Sequence, residues 1–188
     1  WNIKSLVVGI ISKKLFNERV TARKIEEIEN IEYGQHYLSF EREEQQKTPL
    51  VWLFLDEAHE LLPREGMNAA MPALIQLLRE GRQPGISLVL ATQQPGEIHR
   101  DVITQSDIVI SHRVTAKPDV EALNMINQSY LTSSILANLN NLPKVKGAAI
   151  ILDDNSERIY AMKVRPKMSW HGGDTPSAVK IKKQVLQI

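Results

Sequence analysis

At 188 residues, 43% of them hydrophobic, the chain is long enough to bury one full core, and a single domain is the default. A formal net charge of +1 excludes a globally basic nucleic-acid binder, so any such surface has to be local. The absence of cysteine excludes disulfides and thiolate metal sites, and fits a reducing cytoplasm.

From the N-terminus, Ile3, Leu6, Val7, Ile10, Ile11 and Phe16 recur near helical spacing, and the charge-rich "ARKIEEIEN" continues the pattern with Ile25 and Ile28. The spacing predicts a helix over the first thirty residues. The chain starts at Trp1, already inside this pattern and without the order of a signal peptide, which is the expectation for a piece of a longer protein. Residues 32–49 are polar and read as an exposed connection. No apolar run approaches the ~20 residues that span a bilayer, so no membrane segment is expected.

The run from Leu50 to Leu55, "LVWLFL", is too short for a helix and is bounded by Pro49 and Asp56, so it reads as a fully buried strand. After the loop "LLPREGMNAAMP" comes a helix carrying Leu74, Ile75, Leu77 and Leu78, with Gly81 placed to stop it. "ISLVLAT" (residues 86–92) and "DIVISHRV" (107–114) read as a second and a third buried strand. Pro118-Asp119 opens another helix, and "TSSILANLNNLP" one more. "GAAIILDDNSERIYAMKV" reads as a hairpin turning at residues 153–156. Alternating strands and helices predict an α/β fold: a mostly parallel sheet with flanking helices and an antiparallel edge hairpin. Residues 1–165 would form this domain. In the tail, 166–188, Gly172-Gly173 and Pro176 form a joint, and Ala178, Ile181, Val185 and Ile188 fall on one stripe. The tail is expected to brace an adjacent subunit and to carry His171 towards the junction.

Ligands in parallel sheets gather at the carboxyl ends of strands, and two pairs of polar residues sit there. An apolar strand ending in Asp56-Glu57 is the Walker B arrangement of nucleoside-triphosphate hydrolases. Asp56 would hold Mg²⁺ through its water shell, and Glu57 would polarise the water that attacks the γ-phosphate. The bland alternative is a pair of acids capping a loop. Thr92 and Gln93 end the next strand, where a neutral amide can sense phosphate or the attacking water. His59 lacks a second histidine at metal-ligand spacing and is read as no metal ligand. Arg79 suits the negative end of its helix. Arg82, on the turn just past Gly81, is free to reach outward into a neighbour's site.

The run "VWLFLDEAHELLP", then "LLREGRQPGISLVLATQQP", then "DIVISHRV" resembles the HerA–FtsK superfamily of P-loop ATPases, on the HerA-like side, over roughly residues 50–167. The resemblance implies the C-terminal part of a RecA-like motor core. It implies ATP and Mg²⁺ as cofactors, Asp56 and Glu57 as the Walker B pair, Gln93 as polar sensor and Arg82 as trans-acting arginine. It also implies a homo-hexameric ring that translocates DNA, alongside a NurA-type nuclease in DNA repair and end resection. In that family the loop after the Walker B strand can face the pore, which makes Arg64 and Asn68 the DNA-contact candidates. The departure is the phosphate-binding loop G-x-x-x-x-G-K-[ST]: the sequence has no Gly-Lys dipeptide, so that loop is expected upstream of Trp1 and this chain alone is expected to be inactive. Three alternatives stay open: a VirB4-like conjugation or secretion ATPase, a DEAH-type two-domain helicase suggested by "DEAH" at 56–59, and a non-hydrolysing DNA-binding or assembly subunit.

Overall fold

A computed structural model describes residues 2–34, 48–127, 139, 141–166 and 168–169. The leading helix, α1 (Asn2–Gly34), is 33 residues long, about 50 Å at 1.5 Å per residue. β1 (Val51–Leu55) is followed by a short 3-10 turn at Ala58–Glu60, α2 (Met71–Glu80) and β2 (Ile86–Leu90). A second 3-10 turn at Pro95–Glu97 leads to α3 (Arg100–Thr104), β3 (Ile108–His112) and α4 (Lys117–Asn127), then to the hairpin β4 (Ala148–Asp153) and β5 (Arg158–Lys163). Most of the helix expected over 132–143, and the tail with His171 and its apolar stripe, lie outside the described residues.

The α/β class holds, with its strands in two groups. β1 and β2 pair in parallel, while β3, β4 and β5 form an antiparallel sheet in that order. β3, expected to extend the parallel set, instead pairs with β4 from Ile108↔Asp153 to His112↔Ala149. The strands are also less buried than their apolar runs imply. Trp52 and Phe54 are 64% and 68% exposed on one face of β1 and stack on each other, and Ile108 and Ile110 stand open on β3. An unbroken apolar run marks both faces as apolar, and only one of them is covered among the described residues.

Two apolar clusters carry the packing. The larger gathers Leu55, Leu62, Leu74, Leu77, Ile86 and Val102 beneath the parallel pair, and the smaller gathers Leu123, Leu142, Ile150 and Leu152 under the antiparallel sheet. α4 joins them: Ala122 belongs to the first and Leu123 to the second. Its first turn is fixed to the Pro95–Glu97 turn, where the Gly96 N–H donates to the Asp119 carboxylate at 2.9 Å.

α1 reverses the side that its apolar spacing marks. Ile3, Leu6, Val7, Ile10 and Ile11 face outward, while Ser5, Ser12 and Arg19 are buried, with Val8 and Phe16 partly covered. The helix docks through small residues because the neighbour comes very close. A Cβ on Gly9 would stand 2.6 Å from the Ala69 carbonyl oxygen, so no larger residue fits there without moving backbone. From that contact α1 runs beside α2, with Lys13 donating to Gln76 at 2.8 Å, and ends its contact at the turn that follows α2.

Candidate functional site

β1 and β2 pair in register from Val51↔Ile86 to Leu55↔Leu90, so their carboxyl ends finish side by side. Two backbone bonds carry the pairing past the strands: Ala91 N–H donates to the Leu55 oxygen at 2.9 Å, and Ala58 N–H to the Ala91 oxygen at 2.8 Å. Between these anchors the chain has to reverse within Asp56 and Glu57. Glu57 does so in the left-handed region, at φ 49° and ψ 49°. For a residue with a Cβ that conformation costs about 1–2 kcal/mol, and such residues concentrate at functional sites. Glu57→Ala and Glu57→Gly both delete the carboxylate, but only glycine removes the backbone cost. The glycine variant is expected to be more stable than the alanine variant by about 1 kcal/mol. Denaturant midpoints measure the difference; equal midpoints would remove the strain from the account.

The turn presents both acids at the end of the sheet. Asp56 is exposed; its Oδ1 accepts the Glu57 N–H at 2.9 Å, and its Oδ2 has no hydrogen-bond partner among the described residues. One open carboxylate oxygen suits Mg²⁺, which keeps most of its waters and takes few protein ligands beside phosphate. Among the described residues, no group of three or more His, Asp or Glu forms a cage made of protein ligands alone. Glu57 is clasped from the neighbouring strand end, where Gln93 Nε2 donates to its Oε1 at 2.5 Å. His59 Nδ1 lies 3.6 Å from Oε2 of the same carboxylate and 2.9 Å from the Thr92 hydroxyl. That hydroxyl also accepts from Gln94 N–H at 3.0 Å. Asp56, Glu57 and Gln93, singled out separately in the sequence, therefore form one cluster with Thr92 and His59. His59's place beside the glutamate was missed: a histidine two residues on shows no partner until the second strand is laid alongside. Next to the cluster, Lys4 donates to Glu60 at 2.8 Å, and this bond, followed by the charges of Lys4 and His59, holds the Glu60 carboxyl below its ordinary value.

Arg79 and Arg82 separate cleanly. Arg79 closes on Asp101, with Nε at 2.8 Å and Nη2 at 2.5 Å from the same carboxylate oxygen, so its charge is engaged within the chain. Arg82 is exposed and has no ion pair or side-chain hydrogen bond among the described residues. It lies at the other end of the parallel pair from the acids. The turn before β2 meets the start of β1, where Val51 N–H donates to the Gly85 oxygen at 3.1 Å, whereas Asp56 follows the end of β1. Five strand residues separate the two ends, about 16.5 Å at 3.3 Å per residue.

The loop carrying Arg64 and Asn68 is held tightly. Asn68 donates to the Glu60 and Leu61 oxygens at 3.2 and 3.1 Å, and its own side-chain oxygen accepts from Ala70 and Met71 N–H at 3.0 and 3.1 Å. Its amide is thus engaged by the loop and the start of α2. Arg64 is exposed, with one long bond from Nη1 to the Gly96 oxygen at 3.3 Å.

A family model described as Zonular occludens toxin (Zot) matches residues 2–117, a span that contains α1, both acids, Arg82 and Gln93. Among curated proteins, the chain is 30% identical over 158 residues to the "Probable DNA double-strand break repair helicase HerA" of Methanocaldococcus jannaschii, covering 77% of this chain and 31% of that protein. It is 24% identical over 159 residues to the DNA double-strand break repair helicase HerA of Pyrococcus furiosus, covering 80% of this chain and 28% of that one. The chain thus spans under a third of the length of these relatives. Among solved structures, the genome packaging NTPase B204 of Sulfolobus turreted icosahedral virus 2, in complex with AMPPCP, matches with a TM-score of 0.52 at 22% identity. That match covers 62% of this chain and 53% of B204, and it speaks to the fold.

Proposed function

The chain belongs to the Zonular occludens toxin (Zot) family of HerA-like P-loop ATPases, and from that premise we infer that it is part of an ATP-driven motor acting on DNA. The observation that carries the reading is the carboxylate of Glu57, set in a left-handed turn at the end of β1 and held by Gln93 from the end of β2. A glutamate fixed between two strand ends, beside an open aspartate, is suited to take the proton of a water aligned on a terminal phosphate. Asp56 would hold Mg²⁺ through water, and the ion would supply charge neutralisation at the phosphates. Gln93 would exchange its bond to Glu57 for one to the attacking water or the γ-phosphate, so that the glutamate is released when nucleotide is in place.

Arg82 would act on the neighbouring subunit's nucleotide. Its distance from its own acids supports this, since a guanidinium at the opposite end of the strands cannot reach them. Such an arrangement needs a closed assembly of like subunits, for which a homo-hexamer is the proposed form. The phosphate-cradling glycine loop and its lysine would come from sequence other than this chain, and the chain by itself would not hydrolyse ATP. DNA is the proposed substrate. Arg64 would meet its phosphates, and Asn68 would keep the loop in shape. A role in DNA double-strand break repair is the proposed setting, supported by the likeness to the HerA helicases, and a NurA-type nuclease as partner and a cytoplasmic location are proposed on the resemblance alone. Among the described residues no helix is long and apolar enough to cross a membrane.

The test is ATP hydrolysis by the intact protein with and without DNA. Hydrolysis is expected to rise on adding DNA, and Arg64→Ala is expected to weaken DNA binding and flatten its salt dependence by about one phosphate contact per subunit. Hydrolysis indifferent to DNA at every salt concentration would remove DNA as the substrate.

A further inference from the structure

Arg19 is the one charged residue in the buried set among the described residues, 1% exposed, and nothing in the nucleotide chemistry above uses it. Burying a guanidinium is costly unless its donors are satisfied, and here three of its five N–H groups are. Nε donates to the Pro84 carbonyl oxygen at 2.8 Å, and Nη1 donates to the Thr48 carbonyl oxygen at 2.8 Å and to Glu26 at 3.1 Å. Glu26 also meets Arg23 at 3.4 Å. The hydrogen bond from Arg19 is the largest influence holding the Glu26 carboxyl below its ordinary value, so it stays ionised as the clamp's counter-charge.

What Arg19 grips is the turn that bears Arg82. Residues 81–85 form that turn, closed by Gly81 N–H to the Leu77 oxygen at 2.9 Å, Gly85 N–H to the Arg82 oxygen at 3.2 Å and Ile86 N–H to the Gly81 oxygen at 2.8 Å. Gly85 has φ +80°, a left-handed conformation that strains any residue with a Cβ, so the turn depends on glycine there. Pro84 cannot hold the turn through an N–H of its own, and its carbonyl is taken from below by the guanidinium. Thr48, held by the same side chain, leads into β1, whose far end carries Asp56 and Glu57.

We propose that Arg19 is a positioning residue for hydrolysis: seated under the 81–85 turn, it sets where the Arg82 guanidinium stands relative to the neighbouring subunit's nucleotide. The proposal rests on the trans-acting reading of Arg82. Arginine suits the task because its rigid fork addresses three acceptors at once. Lysine keeps the charge but offers a single flexible ammonium. A loosened turn leaves the nucleotide-binding groups untouched and misplaces a group needed only as charge develops, so kcat falls while KM stays.

The experiment uses the intact protein assembled with DNA, comparing Arg19→Lys, Arg82→Ala, the double variant and Gly85→Ala at a temperature where circular dichroism shows all four folded. Arg19→Lys is expected to lower kcat about tenfold with KM for ATP within about twofold. Gly85→Ala, which keeps Arg19 but strains the same turn at φ +80° and sets a Cβ 3.6 Å from Arg19 Nη2, is expected to do the same. The double variant should be no slower than Arg82→Ala alone, because a misplaced group that is already absent cannot be lost again. A loss from Arg19→Lys that multiplies with that of Arg82→Ala, or a wild-type kcat in Arg19→Lys while Arg82→Ala is impaired, would overturn the positioning role and leave the Arg82 reading standing. A wild-type kcat in Arg82→Ala would overturn the reading of Arg82 and the proposal with it.

Discussion

Replacing Glu57 by glutamine in the intact protein is expected to lower the rate of ATP hydrolysis by about 10²–10⁴-fold, the range for losing a positioned general base, while ATP binding is kept. The substitution is nearly isosteric. The left-handed backbone at 57 comes from the bonds that join Leu55 and Ala58 to Ala91, and those bonds do not involve the side chain. The contact to Gln93 can also survive, since a glutamine oxygen still accepts from Nε2. Only the basicity is removed. Single-turnover hydrolysis and equilibrium nucleotide binding, measured on the same preparation, separate the two effects. Hydrolysis at the wild-type rate would take Glu57 out of the mechanism, and lost binding would make it a structural or metal-holding residue instead.

Arg82→Ala carries the second large effect, a fall of about 10³-fold or more in kcat if the guanidinium neutralises charge on the transferring phosphoryl group. The more telling result comes from mixing. If the assembly is the proposed ring, one built only of Arg82→Ala subunits and one built only of Glu57→Gln subunits are both expected to be inactive. In mixed rings some junctions pair an intact Glu57 with an intact Arg82 from the next subunit, and part of the activity should return. The return depends on the two residues serving one site from different chains, which their placement at opposite ends of the parallel strands favours. Activity that stays absent in mixtures whose subunits demonstrably co-assemble would put Arg82 in its own subunit's chemistry or outside it.

The strand ends were legible in the sequence because β1 and β2 are short apolar runs, each stopped by polar residues, and parallel pairing then brings the stops together. Asp56, Glu57 and Gln93 were found in that way, and their meeting follows from the register alone. Other features left no such mark. Periodicity tells which side of a helix is apolar, and on α1 that is not the docked side: Ser5, Gly9, Ser12 and Arg19 are the buried positions, and at Gly9 the Ala69–Ala70 backbone comes too close for a larger residue. β3 matched the pattern of a parallel core strand, yet its partner is β4, more than thirty residues further along, and no local signal carries that pairing. Asn68 looked like an exposed loop amide and instead ties Glu60, Leu61, Ala70 and Met71 together, a set assembled by the path of the loop. Arg19 sat among other charges on a long helix and is the one buried, because the sum of its hydrogen bonds is set by where Thr48 and Pro84 fall in space.

That clamp also leaves a particular imprint on how the sequence can drift over generations. Two of its three grips are on main-chain oxygens, at Thr48 and Pro84, which every amino acid carries. Side chains at those positions answer only to the shape of the turn and of the approach to β1, so they can change without consulting position 19. Position 19 has no comparable freedom, because no other side chain reaches three acceptors from one rigid plane. Its lineage would be that of an arginine that persists while its contacts change identity, with only Glu26 bound to it as a covarying partner.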